Sequence, residues 1–449
     1  MALHDLAVRA HRALTPQGER PVTIGILDGR VINVLAGDRA AIIARRETSL
    51  AEDEVLLPGL VDTHVHINEP GRTHWEGFDT ATRAAALGGV TTLLDMPLNS
   101  VPPTTTVAGL EAKRSAAEGR LAVDVGFWGG AVPENSRPGA VGELAALWDQ
   151  GVYGFKAFLS PSGVEEFGHL SPEELLSAAE AIGELGGRLI VHAEDPDVLD
   201  QAPPAAGRDY ATFLASRPDT AEHEAIARVI EVARTTGTRA HVLHLSSASA
   251  LPMIAQARAD DVPLTVETCP HYLTLEAERV PAGATQYKCC PPIRDSANRD
   301  LLWRALEDGL IDCVVSDHSP STPDLKKPDT GDFGTAWGGI SGLQVGFSAV
   351  WTEARRRGLG LADVVRWMSS GPARVAGLGN KGGIAPGYDA DFAVVAPEES
   401  FRVDVRELHH RNPVSPYDGA ELFGRVRRTI LRGEDVGLES TTGRMLVRN

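Results

Sequence analysis

Apolar positions along the chain change period twice. Near the start, Val22-Thr23-Ile24-Gly25-Ile26-Leu27 and Arg30-Val31-Ile32-Asn33-Val34 flank the turn pair Asp28-Gly29. Two short apolar runs around such a pair predict a β-hairpin. Near the end, residues 390–395 and 426–431 are again strand-like, and Arg432-Gly433-Glu434 supplies a turn. Between them, apolar, β-branched runs recur at residues 60–66, 90–95, 121–127, 152–158, 188–193, 240–245, 263–268 and 311–316. Helical stretches separate most of these runs. Residues 172–185 form one. Residues 221–235 form another, with Ala225, Ile226, Val229, Ile230 and Ala233 at helical spacing.

Strands alternating with helices in this way predict an α/β chain built on a (β/α)8 TIM-type barrel, a fold of ~250 residues before insertions. A doubly wound sheet is the competitor, but no glycine-rich dinucleotide fingerprint follows the first run. The β-rich ends predict one small β-sandwich domain formed by both termini. The expected limits are 1–57 and 385–449 for that domain and 58–384 for the barrel. Residues 320–334 form a long polar, proline-containing loop, a kind often given to function.

Composition narrows the class. At 449 residues and 43% apolar content the chain can bury a large core. A net charge of −18 disfavours nucleic acid and anionic membranes as partners. No apolar run approaches a membrane span, and MALHDLAVRAHRAL lacks the basic and apolar regions of a secretory signal. A cytoplasmic protein is expected. Cys269, Cys289, Cys290 and Cys313 form no CxxC pair, so reduced thiols are expected rather than a zinc knuckle.

Chemistry gathers at the ends of the eight expected strands. His64 and His66 end the first, Lys156 lies near the end of the fourth, His192 ends the fifth, His244 the sixth, and Asp317 follows the eighth. Parallel barrel strands bring such ends to one face. Residues two apart on a strand point the same way, so His64 and His66 can share one ion. His192 and His244 can ligate a second. Asp317 can give an oxygen ligand to one site. A protonated Lys156 would be expelled from between cations. A buried amine of lowered pKa can instead add CO2 and become an anionic, two-oxygen carbamate able to bridge both ions. Taken singly, a strand-end histidine is more often packed than ligating, and a lysine in an apolar run usually snorkels. The joint placement is what carries weight. His241 and His318 are expected to point away from the centre, His271 to be structural or to stand behind the ligands, and His74 to lie in a loop over the site, within reach of substrate.

Pro58-Gly59-Leu60-Val61-Asp62-Thr63-His64-Val65-His66 resembles the opening metal motif of the cyclic amidohydrolases, the family of dihydroorotases, allantoinases, hydantoinases and dihydropyrimidinases. The resemblance runs from about residue 28 to 432. It implies two divalent metal ions bridged by a carboxylated lysine, N6-carboxylysine, at Lys156. It also implies histidine ligands at His64, His66, His192 and His244, a catalytic aspartate at Asp317, and a homotetramer. Zinc is the first expectation; imidazole and carboxylate also accept Co, Mn, Ni or Fe.

The segments Asn68–Gly77, Asp95–Ser100, Lys288–Asp295 and Ala336–Gln344 (residues 68–77, 95–100, 288–295 and 336–344) are similar to the allantoinase branch. Dihydroorotases usually have an arginine where Asn68 stands. Hydantoinases and dihydropyrimidinases usually have a tyrosine shortly after the lysine, where this chain reads Phe158-Leu159-Ser160-Pro161. The small-molecule substrate implied is allantoin, a hydantoin ring carrying a ureido group. A metal-activated water would open the ring amide, with Asp317 shuttling the proton. Asn99, Cys290 and Gly338 are expected to hold the ring amide and ureido groups. A D-hydantoinase or dihydropyrimidinase activity is the alternative. Metal-free, non-catalytic members of the family would be expected to lack ligands, whereas all six positions are filled here.

Overall fold

The computed structural model describes residues 3–448; Met1, Ala2 and Asn449, which the expected domain limits include, lie outside the described residues. The chain opens with β1 (His4–Thr15), β2 (Gly18–Leu27), β3 (Arg30–Ala36), β4 (Ala44–Ser49) and β5 (Val55–Pro58). Then come β6 (Leu60–Val65), β7 (Val90–Asp95), β8 (Asp124–Phe127), β9 (Gly129–Gly130), β10 (Phe155–Phe158), β11 (Arg188–His192), β12 (Arg239–Val242), β13 (Leu264–Thr268) and β14 (Cys313–Val314). It closes with β15 (Phe392–Arg402), β16 (Glu421–Leu431) and β17 (Glu434–Asp435).

Both chain ends share one eight-stranded sheet, ordered β17-β16-β15-β5-β1-β2-β3, with β4 beside β1. The expected hairpin joins β2 to β3. Asp28 (φ 52°) and Gly29 (φ 73°) both adopt the left-handed conformation that a tight two-residue turn requires. Arg432 and Gly433 do the same between β16 and β17. The seam between the two ends is the antiparallel pair β5–β15, from Pro58 opposite Phe392 to Val55 opposite Val395. Val8, Ile24, Leu56, Val394 and Ile430 pack as one core against this sheet.

The remaining strands run parallel in two sheets, β6-β7-β8 and β14-β13-β12-β11-β10-β9. Their residues are almost all buried, the mark of strands covered on both faces. Backbone bonds also cross between the two sheets. Tyr153 N–H donates to Phe127 O (3.0 Å), and His66 N–H donates to His318 O (2.8 Å). The helix Asp219–Thr236 buries Ala225, Ile226, Val229, Ile230 and Ala233, the stripe read from the sequence, and stops at Gly237 (φ 70°). Pro172–Glu184 starts at a Ser171/Glu174 capping box. Lys381 Nζ donates to Asp124 and Asp391, at 2.7 Å each, tying β8 to the chain entering β15.

Several strands are shorter than the apolar runs suggested. The run at 240–245 leaves the ladder after Val242, and that at 311–316 after Val314. The cause is the backbone just beyond each strand. His244 (φ 37°) and Asp317 (φ 44°) are left-handed, which no strand accommodates. His244 therefore stands two residues past its strand rather than closing it. Gly129–Gly130 pairs with β10 although glycine has little strand preference, so no sequence signal marked it.

Candidate metal centre

His64 and His66 leave β6 on the same side, with ring centroids 5.5 Å apart. Asp317 Oδ1 lies 3.2 Å from His64 Nε2 and 3.5 Å from His66 Nε2. One ligand atom from each of these three residues falls within 4.8 Å of the others. His192 ends β11 and turns Nδ1 to within 3.0 Å of His244 Nε2. His64 and His244 have centroids 5.3 Å apart, so the two groups adjoin. Lys156, inside β10, is 1% exposed. Its Nζ lies 4.7 Å from the Phe158 ring centre and meets no ion-pair partner among the described residues. All six side chains line one cavity of about 390 Å³, together with Asn99, Cys290 and Gly338.

The donor set suits cations. His64 Nε2, His66 Nδ1 and His244 Nδ1 are buried without a hydrogen-bond partner. Buried polar atoms rarely stay unpaired unless something further engages them. Burial pushes the His64 and His244 imidazoles well below their ordinary range and lowers His192 as well. Neutral rings with free lone pairs are the ligating form. Burial also brings the Lys156 amine down to about 8, against the raising effect of Asp317 and Glu267. An amine there is partly unprotonated near neutrality, the state that can add CO2. Four imidazoles, one carboxylate and one carbamate-competent amine thus fit a pair of divalent ions.

Buried carboxylates hold these groups in place. Glu267 takes His64 Nδ1 at 2.5 Å, His241 Nε2 at 2.9 Å and the His244 backbone N–H at 3.2 Å. Glu194 takes His192 Nε2 at 2.7 Å and also pairs with Arg217. Such partners fix ring tautomer and orientation. Asp62 accepts the backbone N–H groups of His64 (3.1 Å) and Ser316 (3.0 Å), joining β6 to the segment before Asp317. The sequence reading missed all three. Their signal was available: Asp62 and Glu267 interrupt otherwise apolar strands, and a charge so placed requires a partner.

His241 does turn from the cavity, and its work is to hold Glu267. His318 turns to Glu76, at 3.0 Å. His271 is buried, with Nε2 unpaired, and groups with Cys269 and with Asp317, one of the candidate ligands. His74 is exposed and stays outside the cavity wall, its ring set edge-on to Trp75. The expected reach to substrate is therefore not met. Gly334, at the end of the long loop, does line the cavity. So do Arg217 and Lys288, which sequence reasoning did not single out. Left-handed backbone at Asn68, Asn99, His244 and Asp317 clusters around this site, as conformational strain often does.

The sequence pattern of the amidohydrolase family matches residues 55–436. The chain belongs to the amidohydrolase family. This amidohydrolase is 58% identical to an allantoinase of Streptomyces avermitilis over 448 residues, covering 99% of each chain. It is 42% identical to an allantoinase of Saccharomyces cerevisiae, covering 96% of this chain and 95% of that one. Among solved structures, the L-hydantoinase (dihydropyrimidinase) of Arthrobacter aurescens is similar at a TM-score of 0.91 and 30% identity, covering 99% of this chain and 100% of that one. A D-hydantoinase of Bacillus sp. AR9 is similar at 0.87 and 28%, covering 99% of each.

Proposed function

We propose that this amidohydrolase is an allantoinase, hydrolysing the hydantoin ring amide of allantoin to allantoate. One observation carries the chemistry: a single cavity collects four histidines, Asp317 and Lys156. Full-length identity of 58% to a named allantoinase supports the choice of ring. His64, His66 and Asp317 would hold one divalent ion and His192 and His244 the other, with Lys156, carboxylated by CO2, contributing to both. Two bound ions supply an acidified water and a positive site for the oxygen of the scissile carbonyl. Asp317 takes the proton of the attacking water and passes it to the ring nitrogen as the amide bond breaks. Such proton transfer is typically worth ~10²–10⁴-fold in rate. Asn99, Cys290 and Gly338 line the same cavity, which supports a role for them in holding the ring amide and ureido groups.

The proposal extends to architecture. The two backbone bonds between the parallel sheets support a closed (β/α)8 barrel over 58–384. The shared terminal sheet supports a small β-sandwich domain from 1–57 and 385–449. Zinc, a homotetramer and a cytoplasmic location complete the reading. Among the described residues, no helix is long and apolar enough to cross a membrane.

The similarity to an L-hydantoinase at a TM-score of 0.91 favours a second reading, a hydantoinase or dihydropyrimidinase activity. Side-by-side assays of allantoin, 5-substituted hydantoins, dihydrouracil and dihydroorotate separate the two. Allantoin is expected to give the highest kcat/KM. A higher value for a substituted hydantoin or dihydrouracil would replace the first reading with the second.

A further inference from the structure

Three basic side chains line the cavity: Lys156, Arg217 and Lys288. Lys156 stands among the ligating histidines. Lys288 directs Nζ at the carbonyl oxygens of Phe333 (2.5 Å), Ala336 (2.6 Å) and Gly334 (3.4 Å), so the three N–H bonds of its ammonium are taken up by that loop. Arg217 differs. Its guanidinium carries five N–H donors, and among the described residues its side chain engages only one acceptor, Glu194 Oε2. The side chain is 21% exposed, at the cavity, while Glu194 is 1% exposed.

Glu194 fixes the guanidinium at one corner and leaves the rest of the planar fork free. The same Glu194 oxygen takes His192 Nε2 at 2.7 Å. Arg217 is therefore held one carboxylate away from the candidate metal centre. A substrate whose scissile carbonyl lies at that centre shares the cavity with Arg217, which is then available to its other polar groups. Hydrogen bonds from a charged guanidinium are stronger than neutral ones, and its fork can place two donors on one acceptor group.

We propose that Arg217 is a specificity-determining residue, whose free N–H groups bind the ureido carbonyl of the substrate and so separate ureido-bearing hydantoins from bare ones. This rests on the allantoinase reading. Asn99, lining the same cavity, offers a neutral amide; with Lys156 set aside for the metal centre and Lys288 taken up by the loop carbonyls, Arg217 is the lining cation that keeps N–H groups unpaired by protein among the described residues. The inference also accounts for a cation placed beside a neutral substrate, since a urea carbonyl is a strong neutral acceptor.

The test uses the metal-loaded, full-length enzyme and the variants Arg217→Met and Arg217→Lys. Allantoin kcat and KM, the inhibition constant of hydantoin (the ring without the ureido group) against allantoin, and bound metal per chain are measured together. In Arg217→Met, KM for allantoin is expected to rise on the order of 10- to 100-fold, the worth of a charge-assisted hydrogen bond. The hydantoin inhibition constant and the metal content are expected to stay close to those of the unaltered enzyme. Arg217→Lys is expected to recover part of the loss, and it keeps a cation beside Glu194 should the methionine variant fail to fold. Equal changes for allantoin and hydantoin, or no change for allantoin, overturn the proposal. Loss of metal with both ligands weakened would overturn it too, and would assign Arg217 to supporting His192 through Glu194 instead. The unaltered enzyme is the separate control: if it fails to open allantoin, the allantoinase reading fails first, whatever the variants do.

Discussion

Glu267 offers a sharp test of how the centre is held. Its Oε1 faces His64 Nδ1 at 2.5 Å and the His244 backbone N–H at 3.2 Å, and its Oε2 faces His241 Nε2 at 2.9 Å. One buried carboxylate thus orients two proposed ligands, one on each side of the metal pair. Glutamine keeps the shape but replaces one oxygen with an NH2 group. Turned towards His241, that group can be accommodated, because His241 Nδ1 faces the hydroxyl of Thr265 at 2.8 Å and a hydroxyl serves either tautomer. His64 would keep an oxygen partner and lose a charged one. Alanine leaves three buried N–H groups unpaired, each costing about 1–3 kcal/mol. Removal of such a supporting partner usually lowers metal affinity 10- to 100-fold, or about 1.4–2.8 kcal/mol at 1.4 kcal/mol per decade. Glu267→Gln is expected at the low end and Glu267→Ala at or beyond the high end, with a clear drop in thermal stability for alanine. Competition with a chelator of known affinity measures the first quantity and thermal unfolding of the metal-stripped protein the second. Unchanged metal affinity in Glu267→Ala would refute the supporting role.

Lys156→Ala is expected to lose bound metal and activity together, and short carboxylic acids should restore part of both by replacing the carbamate oxygens; full activity in a metal-replete variant contradicts the bridging carbamate. Asp317→Asn is expected to depress kcat by ~10²–10⁴-fold if proton transfer is its main contribution. Retained turnover at the unaltered rate would remove it from that role. A third expectation concerns acid stability. Burial, with the neighbouring His318 ring adding to it, holds the His410 imidazole down at about 4. The folded-state value lies below the unfolded one, near 6.5, so the unfolded chain binds the extra proton between them. This contribution is present in full above pH 6.5 and is lost as pH falls towards 4, at up to about 1.4 kcal/mol per pH unit. Chemical unfolding of His410→Gln across that window should show a shallower slope than the unaltered protein, and equal slopes would count against it.

Much of this site was legible in the sequence because its candidate ligands sit where apolar runs end. His64, Lys156 and His192 belong to buried strands and His66 follows the first of them directly, and parallel strands bring such ends together. His244 and Asp317 were legible as residues but not as geometry: their left-handed backbone comes from tertiary constraint, and sequence patterns carry no sign of it. Glu194, Glu267 and Asp62 were passed over because an acidic residue in or beside a strand is ambiguous until its partner is seen. Partners can lie far along the chain, as His64 does for Glu267. Arg217 lies just before the helix Asp219–Thr236 with no local motif, and only the folded chain turns it towards the cavity. The terminal hairpin at Asp28-Gly29 was readable from two residues. The long strand β1, by contrast, mixes polar and apolar residues over His4–Thr15 and owes its conformation to neighbours on both sides, β2 and the parallel pair β4 and β5.

The central claim is that a metal pair in this cavity opens the ring of allantoin. The most direct measurement tracks allantoate formation by protein stripped of metal and then reloaded, with bound metal counted on the same sample. Turnover absent from the stripped protein and restored as two divalent ions bind per chain is the expected result. No allantoate from protein carrying two ions per chain, or undiminished turnover without them, would contradict it.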